Sequence, residues 1–564
     1  MARTVGIGNQ DFEKIVTRNI FYVDKTDFIK EWWENEDEVT LITRPRRFGK
    51  TLTLSMLNYF FSIDHKDRSD LFKNLSIWKD EKYRALQGTY PVINLTFANV
   101  KERTYSMTRQ SLNQTLTDLY NRNIFLTQGD LLTDEDKDYF FRVKSDMDEV
   151  TAAQAIHKMS DFLHRYYGRK VIILLDEYDT PMQEAYVNGY WEDLVAFTRS
   201  MFNAAFKTNP HVERALLTGI TRVSKESIFS DLNNLEVVTT TSPKYTEVFG
   251  FTQKEVFSSL EEFGLVDSKA EVKAWYDGFT FGDRSDIYNP WSIINFLDKR
   301  KVGPYWANTS SNSLVGKLIR EGTAQVKETF ERLLVGGCVT TEIDEQIVYN
   351  QLDLDESAIW SFLLASGYLK VTDYKMEQTE YEEWRQVYTL ALTNFEVKVM
   401  FRNMVRGWFS TSASSYNDFI KALLLADVDA MNVYMNRVAL RTFSYFDVGN
   451  KPAEAAEPER FYHGFVLGLM VDLTDKYILI SNRESGFGRY DVMLEPRSTE
   501  LDAIILEFKV FNPRKEENLE ATVQAALKQI EEKRYASVLE EKGISPDRIR
   551  KYGFAFCGKQ VLIG

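Results

Sequence analysis

A chain of 564 residues with 44% hydrophobic and 27% charged side chains has the composition of ordinary globular cores, enough for three or four domains. Its formal net charge of −14 excludes a uniformly basic nucleic-acid-binding surface, although residues 451–564 carry 17 Lys+Arg against 19 Asp+Glu and are nearly neutral. Two cysteines in unrelated contexts, Cys338 and Cys557, argue against a disulfide framework or zinc knuckle and fit a reducing cytoplasm. The opening "MARTVGIGNQDFEKI" has no secretory pattern, and no apolar run is long enough for a membrane span.

In chain order, "VTLIT" (39–43) reads as a short buried strand that delivers the loop "RPRRFGKT". "TLTLSMLNYFF" (51–61) reads as an apolar helix, and "YPVINLTF" (90–97) as a second strand. Helices are expected near 105–121 and 152–167, then strands at "KVIILLDEYD" (170–179) and "VERALLTGI" (212–220). Strands alternating with helices predict a mostly parallel sheet covered on both faces. From 250 to 320 the pattern turns helical, and "YNPWS" (288–292) is a capped helix start with Asn289 as N-cap and Pro290 in the first turn. "SAIWSFLLASGYLKV" and "VYTLALTNFEVKVMF" read as helix, two strands and helix, as in a winged-helix unit. One or two amphipathic helices follow over 415–438. "GNKPAEAAEPE" (449–459) has linker composition. The expected domains are 1–250, a helical lid over 251–320, a winged-helix and helical region over 321–450, a linker over 451–460, and a last domain over 461–564 whose first helix starts near 457.

The loop after 43 ends like a phosphate-binding loop but carries Arg44 where that loop has its first glycine. The chemistry needs backbone N–H groups aimed at phosphate, a helix N-terminus, a lysine and a metal-binding hydroxyl. Gly49, Lys50, Thr51 and the helix behind them meet those needs. Arg44 must avoid positive φ, and Pro45 pre-sets φ for an alternative turn. The strand ending in Asp176 and Glu177 supplies a carboxylate for Mg²⁺ and one to polarise an attacking water. Thr218 stands at the end of a strand expected between the other two, where a polar residue reads the terminal phosphate, with Arg222 just beyond.

At the far end, "YDVML" and "IILEFKV" alternate so that Glu507 and Lys509 share one strand face. A hairpin through "EPRSTELD" brings Asp491 beside Glu507, two hard oxygen ligands for Mg²⁺ with Lys509 next to the water. "PERFYHGFVLGLM" reads as a helix with Glu459 near its start as a further carboxylate, and His463 as a structural or substrate-orienting residue. Gln529, on a helix downstream, could approach the metal face.

Together, "FYVDKTDFI", "RPRRFGKTLTLSML", "LLDEYDTP", "LLTGITRVSKESIFSDLNN", "WYDGFTFG", "YNPWSIINFL", "YWANTSSNS", "FYHGFVLGL", "SNRESGFGRYDVML" and "IILEFKV" resemble a bacterial family that joins an AAA-like ATPase to a PD-(D/E)xK nuclease domain. The resemblance spans essentially the whole chain. It implies an α/β fold: a P-loop NTPase with a parallel sheet, a helical and winged-helix extension, and a C-terminal α/β nuclease-like domain. It further implies that Arg46, Arg47, Phe48, Gly49, Lys50, Thr51 and Leu52, with Asp176, Thr218 and Arg222, hold ATP, Thr51 and Asp176 on the Mg²⁺ side, and that Glu177 supports hydrolysis. Asp491, Glu507, Lys509 and Glu459 match the nuclease motif, Asp491 and Glu507 as ligands for Mg²⁺ or Mn²⁺. Tyr22, Asp24 and Lys25 line either the nucleotide or a structural turn. Arg483 and Arg489 lie in either a phosphate-contacting loop or an exposed turn. The implied partners are nucleic acid, DNA ahead of RNA, with a homo-oligomer or a protein partner also compatible and no membrane. The competing reading is a nucleotide-dependent switch or scaffold whose nuclease fold binds without cutting.

Overall fold

The computed structural model describes residues 3–221, 228–229, 231–307, 309, 313–321, 323–344, 356–378, 384–409, 416–442, 466, 470, 473, 476–481, 484–485, 488–489, 491–498, 501–558 and 560–564. The chain divides into two compact units, one of residues 1–318 and 339–397, the other of 319–338 and 398–564. The helices over 416–442 therefore belong with the C-terminal sheet.

The first unit is organised on β1 (Val39–Thr43), β2 (Val92–Thr96), β3 (Val171–Asp176), β4 (Val212–Gly219) and β5 (Leu235–Val238). All pairings are parallel, in the order β2-β3-β4-β1-β5. Both β1 and β3 are buried along their whole length, as their unbroken apolar runs require in a sheet covered on two faces. Strand β4 lies between β1 and β3, so the ends of three strands converge at one rim. The helices Tyr105–Arg122, Glu149–Tyr167 and Trp191–Phe206 follow the alternation that the sequence predicts.

The region after 250 is not purely helical. Strands β6 (Phe251–Thr252), β7 (Asp277–Phe281) and β8 (Arg284–Tyr288) form a small antiparallel sheet. Its hairpin turns through Gly282 at φ 55°. Phe279 and Phe281 are buried and grip the Phe48 ring edge-on, at 4.8 and 5.4 Å between centroids. The alternation is too short to stand out from the surrounding helices. Asn289 caps Pro290–Lys299 as expected, accepting from the N–H groups of Trp291 and Ser292. The winged arrangement follows: β9 (Val339–Glu342), helix Glu356–Ala365, β10 (Leu369–Gln378), β11 (Trp384–Leu392) and helix Phe395–Phe409, with strand order β10-β11-β9.

The second unit holds β12 (Tyr477–Ser481), a short hairpin of β13 (Glu484–Ser485) and β14 (Gly488–Arg489), then β15 (Val492–Pro496), β16 (Ala503–Val510), β17 (Ile549–Cys557) and β18 (Gln560–Ile563). The main sheet runs β12-β15-β16-β17-β18, mixed in direction because β16 and β17 are parallel. Helix Leu519–Glu532 covers one face, packing Ile530 on Met493, Ala503 and Ile505. On the opposite face Phe508 meets Phe554, 5.1 Å between centroids. Asn432 and Asn436, one turn apart on helix Val428–Thr442, each pair through the side-chain amide with a β18 residue. Asn432 donates to Ile563 O and accepts from its N–H, and Asn436 does the same with Val561, all at 2.6–2.9 Å.

Among the described residues no helix is long and apolar enough to cross a membrane.

Candidate functional site

The loop between β1 and helix Lys50–Phe61 shows what replaces the missing first glycine. Arg44 is fully buried, and its guanidinium donates to the carbonyls of Thr43 (3.0 Å) and Thr239 (2.5 Å) and lies 4.5 Å over the Phe281 ring. It therefore anchors the loop to the sheet interior from a position where glycine would supply only flexibility. The left-handed residues of the loop are Arg47 (φ 65°) and Gly49 (φ 87°), so the turn is moved downstream. The Arg47 guanidinium rests 4.6 Å over Trp291. Arg46 donates to Gln183 Oε1 at 3.3 Å, and its own carbonyl accepts from Trp306 Nε1 at 2.9 Å and Asn289 Nδ2 at 3.4 Å. The "YNPWS" and "YWANTS" segments thus hold the loop from outside.

Lys50 is buried and donates to the carbonyls of Arg44 (2.8 Å) and Pro45 (2.9 Å). Burial lowers its pKa, opposed by the negative charges of Glu177, Asp176 and Asp179. The three strand ends meet on Asp176. One carboxylate oxygen accepts from Thr51 Oγ1 at 2.6 Å, and the other from Thr218 Oγ1 at 2.5 Å. Glu177 has φ 50°, a conformation costing a non-glycine residue on the order of 1 kcal/mol, and accepts from Thr180 Oγ1 at 3.1 Å. Leu52 follows in the first turn of the helix, and Arg222 lies outside the described residues.

Asp179 is a residue that sequence reasoning left without a role. It is buried, which raises its pKa, and one of its oxygens accepts from Ile220 N, Thr221 N and Thr221 Oγ1 at 2.9–3.0 Å. It fixes the exit of β4. A side chain at Gly219 would place its Cβ 2.8 Å from Asp179 Oδ1 and 2.7 Å from Tyr178, so this approach needs glycine. Tyr22, Asp24 and Lys25 serve the structural alternative. Asp24 accepts from Thr26 N and Ser76 N, Lys25 pairs with Glu255 at 2.7 Å, and Tyr22 OH meets Met56.

Trp306 is itself held by a buried acid. Glu396 accepts from Trp306 N (2.6 Å), Ala307 N (3.3 Å) and Ser292 Oγ (2.7 Å). Burial outweighs these bonds and pushes its pKa up from 4.5 to about 7. The folded chain therefore retains a proton that the unfolded chain releases between those values, and stability falls as pH rises through that window. Glu396→Gln keeps the acceptor oxygen without the charge. Thermal unfolding at pH 5 and pH 8 is expected to show a smaller loss for the variant than for the parent, by about 2.5 kcal/mol. Equal pH dependence in the two proteins would refute the account.

In the second unit, the β15–β16 register pairs Val492 with Leu506, which places Asp491 opposite Glu507, as the hairpin reading predicts. Asp491 accepts from Phe508 N at 2.8 Å, and burial raises its pKa to about 6 against the pull of Lys509. Glu507 is buried. Gln529 connects the constellation: its Nε2 donates to Glu507 Oε1 and, at 3.1 Å, to Tyr535 OH, while its Oε1 accepts from Lys509 Nζ at 2.8 Å. Glu459, His463 and Arg483 lie outside the described residues, as does the side chain of Arg489. Among the described residues no group of three or more His, Cys, Asp or Glu is arranged to hold a metal ion. What the unit offers is two carboxylates, hard oxygen donors of the kind Mg²⁺ takes, with a lysine beside them.

A parallel sheet with a lysine-bearing loop at one strand end and carboxylates at the next-but-one defines a P-loop type of nucleotide site. A mixed sheet presenting D…E-x-K defines the other class. Residues 6–229 match the family model described as a predicted AAA-ATPase, and residues 457–564 match that of the PD-(D/E)XK nuclease superfamily. The chain thus carries an AAA-ATPase-like domain over 6–229 and a PD-(D/E)XK nuclease superfamily domain over 457–564. Over 322 residues it is 27% identical to a protein of Azotobacter chroococcum mcd 1 described as an uncharacterized protein in vnfD 5'region, a stretch that covers 56% of each chain. The chain thus matches little more than half of that relative's length.

Proposed function

We propose that the chain binds and hydrolyses ATP at the 44–51 loop and uses Asp491, Glu507 and Lys509 to hydrolyse nucleic-acid phosphodiesters. One observation carries this reading. In each unit, a lysine and carboxylates from separate elements are drawn onto one spot, by the converging strand ends in the first and by Gln529 in the second.

At the first site, Gly49 and the helix N-terminus behind it present N–H groups to phosphate, and Lys50 exchanges two carbonyl acceptors for phosphate oxygens. Thr51 and Asp176 supply oxygen donors for Mg²⁺, and Thr218 reads the terminal phosphate through the Asp176 contact. Glu177 is the residue to orient the attacking water. At the second site, Asp491 and Glu507 would hold Mg²⁺ or Mn²⁺, and Lys509, steadied by Gln529, would orient the nucleophilic water. At both sites the bound metal supplies charge stabilisation for a phosphoryl oxygen.

The test is ATP turnover and cleavage of labelled DNA and RNA by the unmodified protein with Mg²⁺ or Mn²⁺, with and without ATP. Phosphate release and cleavage are both expected. ATP turnover without cleavage of any substrate would leave the second domain a binding module, and absence of both would refute the reading.

A further inference from the structure

The chain has five histidines, and three of them meet at the end of the parallel sheet opposite the first candidate site. His157 and His164 lie on helix Glu149–Tyr167, and His211 immediately precedes β4. The Nδ1 atoms of His164 and His211 are 3.0 Å apart, and the rings of His157 and His211 are centred 5.8 Å apart. All three are only partly exposed.

We propose that His164 and His211 form a binding site for a borderline divalent transition cation, zinc foremost. The 3.0 Å contact is a hydrogen bond between the two rings, so a cation would take the place of the proton they share. Two imidazole nitrogens on one tetrahedral zinc stand about 3.3 Å apart, from a Zn–N bond of about 2.05 Å, within a few tenths of an ångström of this spacing. The surroundings supply what such ligands ordinarily have. Asp161 Oδ1 lies 3.7 Å from His211 Nε2, on the far side of the ring from Nδ1. At that distance the carboxylate is a charge contact rather than a hydrogen bond, and it favours a proton on Nε2 electrostatically, which leaves the Nδ1 lone pair facing His164. His157 is the opposite tautomer: its Nδ1 donates to the Ala204 carbonyl at 3.1 Å, which leaves Nε2 as its lone-pair nitrogen.

Arg165 sits between Asp161 and Asp136 at 3.0 Å from each, one cation against two carboxylates beside the histidines. Among the described residues no three such ligands are already closed around a point. The site is therefore an open one, two protein nitrogens with water completing the shell. Imidazole selects zinc, copper or nickel over magnesium, which separates this site chemically from the oxygen donors of the two candidate sites. Strands β3 and β4 both begin here, tied by Val171 N to His211 O at 2.8 Å. A bound cation would pin the helix to that end of the sheet, about 23 Å along β4 from Thr218. Its consequence would be stability of the first unit.

The test is zinc titration of the full chain by calorimetry and thermal unfolding, with millimolar Mg²⁺ present throughout to occupy the oxygen sites. The unmodified protein is expected to bind zinc and to melt about 5 °C higher at 100-fold excess over Kd. His164→Gln and His211→Gln should lose this zinc, and Asp161→Asn, which leaves both rings in place, should weaken it about 10–100-fold. Unfolding in EDTA shows whether each variant is folded, and Asp161→Asn carries the test if the glutamine variants are not. Zinc binding unchanged in these variants, or no zinc taken up by the unmodified protein, would overturn the proposal.

Discussion

Lys50→Ala is expected to weaken ATP binding by about 30-fold to several thousandfold while leaving the nucleotide-free protein as stable as its parent. Lys50 is a buried ammonium that donates to two loop carbonyls, and burial already disfavours its charge. Removing it relieves a desolvation cost, so the unfolding temperature without nucleotide should not fall. Bound phosphate changes the balance, because truncating one partner of a buried charge-assisted contact costs about 2–5 kcal/mol. That corresponds to an affinity loss from about 30-fold to several thousandfold. Calorimetry and the ATP-dependent shift in unfolding temperature read the two effects separately. Normal ATP affinity in the variant would remove the phosphate-loop assignment, and a collapse of apo stability would show that Lys50 is a structural strut instead.

The second large effect is expected at Asp491. Asp491→Asn removes a metal-binding charge but keeps an oxygen to accept from Phe508 N, so the hairpin should survive. Since the metal's stabilisation of the scissile phosphate is worth several kcal/mol, cleavage should fall about 1,000-fold or more, with ATP turnover unchanged. Gln529→Ala probes the arrangement differently. Gln529 touches both Glu507 and Lys509 without being charged, so its loss should cost about 10–100-fold, in the range of an outer-shell partner. Cleavage unaffected by Asp491→Asn would place any nuclease chemistry elsewhere in the chain.

The legible parts of this fold were those written in short-range pattern. Strands β1 to β4 announce themselves as apolar runs, and β1 spans the five residues that the pattern marks. The Asp491–Glu507 pairing follows from alternation plus a hairpin, both local properties of "YDVMLEPRSTELDAIILEFKV". What escaped detection depends on contacts across large sequence separations. Trp306 meets the Arg46 carbonyl from 260 residues away, and Glu396 meets Trp306 from 90. A tryptophan indole or a buried glutamate carries no spacing rule that names its partner. Arg44 belongs to the same group. Its residue type suggests an impaired turn, whereas its side chain is an anchor whose acceptor, Thr239, is 195 positions downstream.

The two asparagines on helix Val428–Thr442 have a consequence for how this molecule can associate. A terminal strand such as β18 ordinarily leaves a row of unused amides and carbonyls, a template on which another chain can polymerise. Here Asn432 and Asn436 act as a false neighbour, each satisfying one outward-facing residue in both directions. The sheet is sealed along this margin by side chains that cannot themselves propagate a ladder. Growth by strand addition at β18 would first require stripping the helix away, so self-assembly of the native chain must begin from some other surface.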